Sequence, residues 1–179
     1  RTRDDAAGEA FDKVARAIGL GYPGGPKIEK EAKKGDPNAI RFPRAKVTGE
    51  PYDFSFSGLK SAVLNYMNGC KMKNEPYIEA DIAASFQQAV CDILVGNAVR
   101  AIEEFQVEKF AIAGGVASNG AIRQAIREAC EERNVHFYHP SPVFCTDNAA
   151  MIGVEAYYEY MAGVRSGLDL NAVPNLKLI

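Results

Sequence analysis

The stretch from Phe110 through Ala111, Ile112 and Ala113 to Gly114-Gly115-Val116-Ala117-Ser118-Asn119-Gly120 is an apolar run that breaks into paired glycines and then meets a helix-starting asparagine. The apolar run reads as a buried strand. The glycines lack a Cβ, so a turn through Gly114 and Gly115 lets the backbone itself touch a ligand, and the first turn of the next helix aims N–H groups at the same point. This is the way α/β proteins hold nucleotides. The glycine pair equally fits a plain strand-to-helix connection. Asn119 is a helix N-cap, a ligand contact, or both, if its side chain reaches a ribose while the helix starts behind it.

A second set of polar groups follows. Asp147 precedes Asn148, Ala149 and Ala150 at another helix start. It is read either as a cap or as an oxygen ligand for a metal or a metal-bound phosphate. His136 and His139 resemble a metal pair, but residues three apart on a strand point to opposite faces, so they are read as structural. Asp4, Asp5, Glu9 and Asp12 load the first helix with carboxylates that complement its dipole. No H-E-x-x-H motif and no Ser-His-Asp pattern occurs, which removes support for protease or esterase chemistry.

Several elements must position these groups. Ala7, Ala10, Phe11, Val14, Ala15 and Ile18 share one helix face, with Asp4 or Asp5 expected as cap and Gly19 as stop. Gly21-Tyr22-Pro23-Gly24-Gly25-Pro26 is expected to be an irregular turn with bare backbone. Asp53-Phe54-Ser55-Phe56 alternates like a short strand. Ser57 then caps a helix that Gly69 ends. A long helix face runs from about Tyr77 to Phe105. Ile122, Ala125, Ile126, Ala129 and Cys130 mark another helix, and Val135-His136-Phe137-Tyr138 a second strand. The βαβ order makes the two strands parallel, so the loops after them share one rim beyond their carboxyl ends. A final helix runs from about Asn148 to Met161.

Composition bounds the rest. The chain has 179 residues, 47% of them hydrophobic, and a net charge of −2, so no global field advertises nucleic acid. Locally, Lys27, Lys30, Lys33, Lys34, Arg41, Arg44 and Lys46 face only Glu29, Glu31 and Asp36, a surplus of four positive charges. This segment is either a solvated surface or a phosphate-backbone footprint. Cys70, Cys91, Cys130 and Cys145 have no C-x-x-C spacing and read as buried free thiols of a reducing compartment. No signal peptide is evident and no apolar run reaches the roughly 18 residues of a membrane span, so the expected location is cytoplasmic. Arg1-Thr2-Arg3-Asp4-Asp5 runs almost directly into a helix, as expected for a piece of a longer chain.

Five motifs in order cover nearly the whole chain: Asp4-Asp5-Ala6-Ala7-Gly8-Glu9-Ala10-Phe11-Asp12-Lys13; Tyr22-Pro23-Gly24-Gly25-Pro26; Phe54-Ser55-Phe56-Ser57-Gly58-Leu59-Lys60; Gly114-Gly115-Val116-Ala117-Ser118-Asn119; and Cys145-Thr146-Asp147-Asn148-Ala149-Ala150-Met151-Ile152. Together they resemble the TsaD (Gcp, YgjD) family of tRNA threonylcarbamoyltransferases, once labelled O-sialoglycoprotein endopeptidases. The resemblance implies a helix-rich α/β fold, the C-terminal lobe of an actin-like, sugar-kinase and Hsp70 (ribonuclease H-like) ATPase architecture. It divides the chain into a first helix and Gly/Pro turn (1–26), a basic segment and helical insertion (27–106), a βαβ nucleotide-binding core (107–147) and a C-terminal helix and tail (148–179).

The implied activity is transfer of a threonylcarbamoyl group from threonylcarbamoyl-AMP to the adenosine 3′ of the anticodon in tRNAs that read codons beginning with A. By motif, Asp12, Gly25, Glu29, Gly114, Gly115 and Asn119 would bind the adenylate, an ATP/AMP-type nucleotide, with Glu29 standing where many relatives carry aspartate. Asp147 would be a ligand of one divalent metal ion, Fe2+ or Zn2+. Relatives also carry an N-terminal lobe with an H-x-x-x-H metal pair, which this chain lacks, so the fragment alone is expected to be inactive. Implied partners are tRNA and TsaB-like and TsaE-like subunits. A last helix deprived of its lobe would expose Met151, Val154, Tyr157 and Tyr158 and favour dimers. Two alternatives stand beside this: a non-catalytic partner or scaffold subunit of the same complex, and an ATPase or sugar-kinase-like enzyme of the same superfamily.

Overall fold

A computed structural model describes residues 1–45, 47 and 50–173. The chain divides into two compact units, Arg1–Cys145 and Thr146–Ile179.

The first unit is organised around one long helix. Its elements in order are α1 (Ala7–Ala17), α2 (Gly24–Ala32), α3 (Ser57–Lys73), α4 (Glu79–Phe105), β1 (Lys109–Ala111), α5 (Gly120–Glu131) and β2 (His136–Tyr138). Along α4, Ile82, Phe86, Ala89, Val90 and Ile93 recur at helical spacing and are buried, with α2, α3 and α5 packed on it. By length and composition α4 could cross a membrane, yet 56% of that apolar window is buried inside the protein, which makes it a core helix. Phe11 of α1 meets Phe86 edge to face at 5.2 Å. Burial of each ring contributes roughly 1.5–3 kcal/mol.

The expected βαβ unit is present. β1 and β2 pair in parallel, Phe110 opposite Phe137, with α5 between them in sequence. The strands are shorter than expected, and β1 is not buried: Lys109 and Ala111 are exposed and only Phe110 is half-buried. An apolar run is fully enclosed only where both sheet faces are covered, and here the alternate residues point away from the helices.

Several helix ends differ from expectation. Neither Asp4 nor Asp5 caps α1, whose N-cap is Ala6 with no side-chain bond. Asp4 instead caps α3: its Oδ1 accepts the Phe56 and Ser57 N–H groups at 3.0 and 3.3 Å, and Ser57 is the first helical residue, not the cap. Asp5 pairs with Lys13 at 2.6 Å. The stop of α1 is as expected. Gly19 at φ +81° lets Leu20 N–H reach Ala15 O and its own N–H reach Arg16 O.

Gly24-Gly25-Pro26 is not an irregular turn but the first turn of α2, where a proline lacks no needed donor. Gly69 does not end α3, which runs to Lys73 and stops at Asn74 in the left-handed region. A glycine inside a helix costs only about 1 kcal/mol, so it halts nothing without a left-handed turn. Residues 53–56 form no strand, only an isolated bridge from Thr2 to Phe54. All four cysteines are buried and free.

The second unit contains α6 (Ala149–Met161), whose N-cap is Asn148, accepting the Met151 N–H at 3.0 Å, rather than Asp147. No residue of α6 is buried.

Candidate functional site

Asp12 lies one turn beyond Gly8 on α1 and its Oδ1 accepts the Gly24 N–H at 2.7 Å, so this carboxylate closes the N-terminus of α2 from a different helix. The approach is tight. A Cβ on Gly24 would stand 2.5 Å from both Asp12 Cα and Phe11 O, whereas a Cβ on Gly25 would meet nothing within 4 Å. Gly24 is therefore a packing glycine, and Gly25 leaves one face of α2 bare. Glu29 follows Gly25 by four residues and so shares that face.

Glu29 reaches the third helix of the site. Its Oε1 accepts the Gly120 N–H at 3.0 Å, at the first residue of α5. Beside it, Asn119 caps α5 by accepting the Ile122 N–H at 3.1 Å, while its Nδ2 donates to Gln87 Oε1 of α4 at 2.8 Å. Both amides are buried. Gly120 and Ile122 N–H, two of the first donors of α5, already have protein acceptors. Bare backbone lies upstream instead. In the turn of residues 114–119, Ala117 N–H bonds Gly114 O and Asn119 N–H bonds Val116 O. Gly114 and Gly115 are exposed, and Gly114 adopts φ +88°, a conformation that favours glycine.

Three contacts join these pieces. Asp12 holds the residue before Gly25, Glu29 holds the residue after Asn119, and Val116, which follows Gly115, lies 3.5 Å from where a Gly8 Cβ would be. The turn at 115–118 also packs against the one at Pro142–Phe144, so the loops after the two strands do meet. Six of the seven residues singled out in the sequence thus belong to one neighbourhood of α1, α2, the glycine turn and α5. Asp12 and Glu29 each use one carboxylate oxygen on a helix N-terminus. The other oxygen of each has no bond to a described residue, which suits it to accept hydroxyl donors of a sugar. Free carboxylate oxygens, the bare face at Gly25 and an exposed glycine turn thus lie in one neighbourhood.

Asp147 lies in the second unit and is exposed. Among the described residues no group of three His, Cys, Asp or Glu side chains comes together to hold a metal ion. A lone exposed carboxylate does not fit iron or zinc, which take several ligands. His139 is engaged otherwise, its Nε2 2.9 Å from Arg127 Nη2 and its Nδ1 2.9 Å from Pro140 O. A separate cavity of about 490 Å³, bordered by Phe54, Phe56, Phe110, Val116 and Ile126, is mostly apolar, and of its polar residues Tyr52 and Asn97 already bond Glu104 and Asp53 O.

Two contributors escape a reading of the sequence. Gln87 looks like a polar interruption of a long apolar helix, which is itself the signal of a buried partner. Arg123, one turn into α5, donates to Ala117 O at 3.2 Å and Ser118 O at 2.7 Å and so braces the glycine turn.

Comparison with known proteins places this geometry in a lineage. The family model described as TsaD, tRNA N6-adenosine threonylcarbamoyltransferase, matches residues 1–154. A curated protein of that description from Clostridium botulinum (strain Hall) is 59% identical over 177 residues, covering 99% of this chain and 52% of its own length. Relatives from Clostridium perfringens (strain 13) and Clostridium kluyveri are each 58% identical with the same coverage. The chain spans about half the length of these curated relatives. Among solved structures, T. kodakarensis HypF matches with a TM-score of 0.64 and 28% identity over 89% of this chain and 20% of that one.

Proposed function

The chain belongs to the TsaD family, and from that premise we propose that it is the nucleotide-binding C-terminal lobe, of actin-like ATPase architecture, of a tRNA N6-adenosine threonylcarbamoyltransferase. The donor is threonylcarbamoyl-AMP and the acceptor is the exocyclic amine of the adenosine 3′ of the anticodon in tRNAs reading codons beginning with A. The amine nitrogen bonds to the carbamoyl carbon, the carbon–oxygen bond to the phosphate breaks, and AMP departs while the amine gives up a proton.

The observation that carries this reading is the pair of carboxylates, Asp12 and Glu29, each anchored to a helix N-terminus around the bare face at Gly25. An anchored carboxylate presents its second oxygen at a fixed place, so it binds a ribose without losing side-chain entropy at that moment. Asn119 holds α5 against α4 and so keeps the glycine turn in place for the adenylate leaving group. Preorganised backbone donors are worth most against charge that develops as AMP leaves. Asp147 would hold a divalent metal only together with ligands from the part of the relatives' length outside this chain. TsaB-like and TsaE-like subunits complete the assembly.

The test is nucleoside analysis of tRNA after reaction of a full-length enzyme carrying this sequence with threonylcarbamoyl-AMP. Modified adenosine is expected, with Asp12→Ala and Glu29→Ala each raising the donor KM tenfold or more. Absence of the modified nucleoside, with ATP hydrolysis or sugar phosphorylation in its place, overturns the reading.

A further inference from the structure

The basic segment that follows the donor site is sorted by the structure into occupied and available cations. Lys27 Nζ donates to Leu20 O at 2.7 Å and Lys34 pairs with Glu31 at 2.6 Å, while Lys30 and Lys33 are exposed and do not line the cleft described next. Lys46 lies outside the described residues. Arg41 and Arg44 instead border a cleft of about 370 Å³ together with Pro37, Asn38, Ile40 and Asp92.

Its walls are held in place. Ile40 N–H donates to Ser85 Oγ at 3.1 Å, and Ser85 Oγ donates to Asp36 O at 3.2 Å, which staples the loop to the buried side of α4. Asp36 Oδ1 accepts Asn38 N–H and Asp81 Oδ1 accepts Asp36 N–H, both at 2.8 Å, so these neighbouring carboxylates face loop donors. Arg44 Nε lies 2.9 Å and Nη2 2.8 Å from Asp92 Oδ2, and Nη1 donates to Phe42 O at 2.5 Å. Arg41 is exposed and makes no hydrogen bond or ion pair with a described residue. With Asp92 offset by Arg44, the cleft carries one net positive charge beside a fixed guanidinium.

We infer that this cleft binds a phosphodiester of the tRNA backbone, with Arg41 as the free cation and Arg44 as the fixed wall. This rests on the reading of tRNA as acceptor and adds where its backbone sits. Guanidinium forks match phosphate oxygens. The adjacent Asp92 favours a singly charged diester over a doubly charged free phosphate. α2, nine residues and so about 14 Å long, leads from the Gly24–Gly25 end of the donor site to this loop.

The experiment is the salt dependence of tRNA binding by a full-length enzyme carrying this sequence, assembled with its partner subunits. Arg41→Ala is expected to weaken binding about tenfold near 0.1 M salt and to lower the slope of log K against log salt by about 0.7–0.9, one phosphate contact. Arg41→Lys is expected to retain the parent slope. Arg44→Ala is expected to weaken binding further, because Asp92 is left uncompensated, and Arg44→Ala combined with Asp92→Ala should recover part of that loss. Parent-like slope and affinity in Arg41→Ala overturn the proposal, as does weakened subunit assembly with an unchanged tRNA slope, which would make the cleft a protein contact. If the parent enzyme itself fails to bind tRNA, the functional reading falls rather than the cleft alone.

Discussion

Glu29 Oε1 accepts the Gly120 N–H at 3.0 Å across 91 residues of sequence. The bond joins the middle of α2 to the first residue of α5, and Asp12 to Gly24 and Asp4 to Ser57 repeat the pattern at two other helix starts. Each carboxylate meets the positive end of a helix that it does not belong to. The N-termini of α2, α3 and α5 are thus joined to other segments, and the proposed donor site is built from two of these joints.

Gly120→Ala should separate binding from stability. Its Cβ would stand 2.9 Å from Glu29 Oε1, the mobile end of a side chain, so the carboxylate is displaced while the backbone stays. Loss of one hydrogen bond costs about 1 kcal/mol, and alanine's better helix propensity returns about as much. Thermal unfolding is expected to change little, while adenylate titration shows weaker binding.

Gly24→Ala and Gly25→Ala should diverge although they are neighbours. The first drives a methyl into the Phe11–Asp12 backbone and is expected to destabilise by about 2 kcal/mol or more. The second meets open space and should leave unfolding unchanged while raising the donor KM. Equal effects on stability would contradict this arrangement.

Asn119→Ala should cost about 2–3 kcal/mol, adding a lost cap to a buried Gln87 oxygen left without a donor. With Gln87→Leu in the same chain about 1 kcal/mol should return, because no orphaned oxygen remains. Denaturant titration of the two single variants and the double variant measures the coupling.

Asp4 should contribute acid-dependent stability. Burial alone would push its carboxyl up, but bonds from the Ser55 and Ser57 hydroxyls and from Phe56 and Ser57 N–H outweigh this and hold it at about 2. A depressed carboxyl stabilises the fold fully above its unfolded value near 3.8 and loses that contribution as pH falls towards about 2. Asp4 is exposed, so solvent screening reduces the effect to about 1 kcal/mol. Asp4→Asn is expected to flatten the stability profile between pH 4 and pH 2, read by thermal unfolding across that range.

Cys91 should resist alkylation in the folded protein, since burial pushes its thiol up to about 12 and little thiolate exists near neutrality. Mass spectrometry after iodoacetamide treatment, with and without denaturant, is expected to find Cys91 modified only in the unfolded chain.

Periodicity was enough for α1, α4, α5 and the parallel pair, but not for α2, whose first turn reads as an irregular Gly/Pro turn. Ile82, Phe86, Ala89, Val90 and Ile93 mark the α4 face that is buried, and Gly19 ends α1 because only a left-handed turn lets the last carbonyls find donors. The neighbourhood of Asp12, Gly25, Glu29 and Asn119 was legible only through motifs. Nothing in local spacing distinguishes Gly24, pressed on Asp12, from Gly25, which faces open space, or Asp4 capping its own helix from Asp4 capping α3.

The amino-acid order by itself determined most of the buried helix faces and which residues carry charge, because these follow from side-chain volume and backbone freedom over a few neighbouring residues, whereas the start of α2 at Gly24 and the end of α3 at Lys73 did not follow from it. Only the tertiary structure decided which helix N-terminus each carboxylate meets. A helix N-terminus leaves its first N–H groups open to any acceptor that packing delivers, and residues as far apart as Glu29 and Gly120 meet only after α4 has drawn α2 and α5 onto its faces.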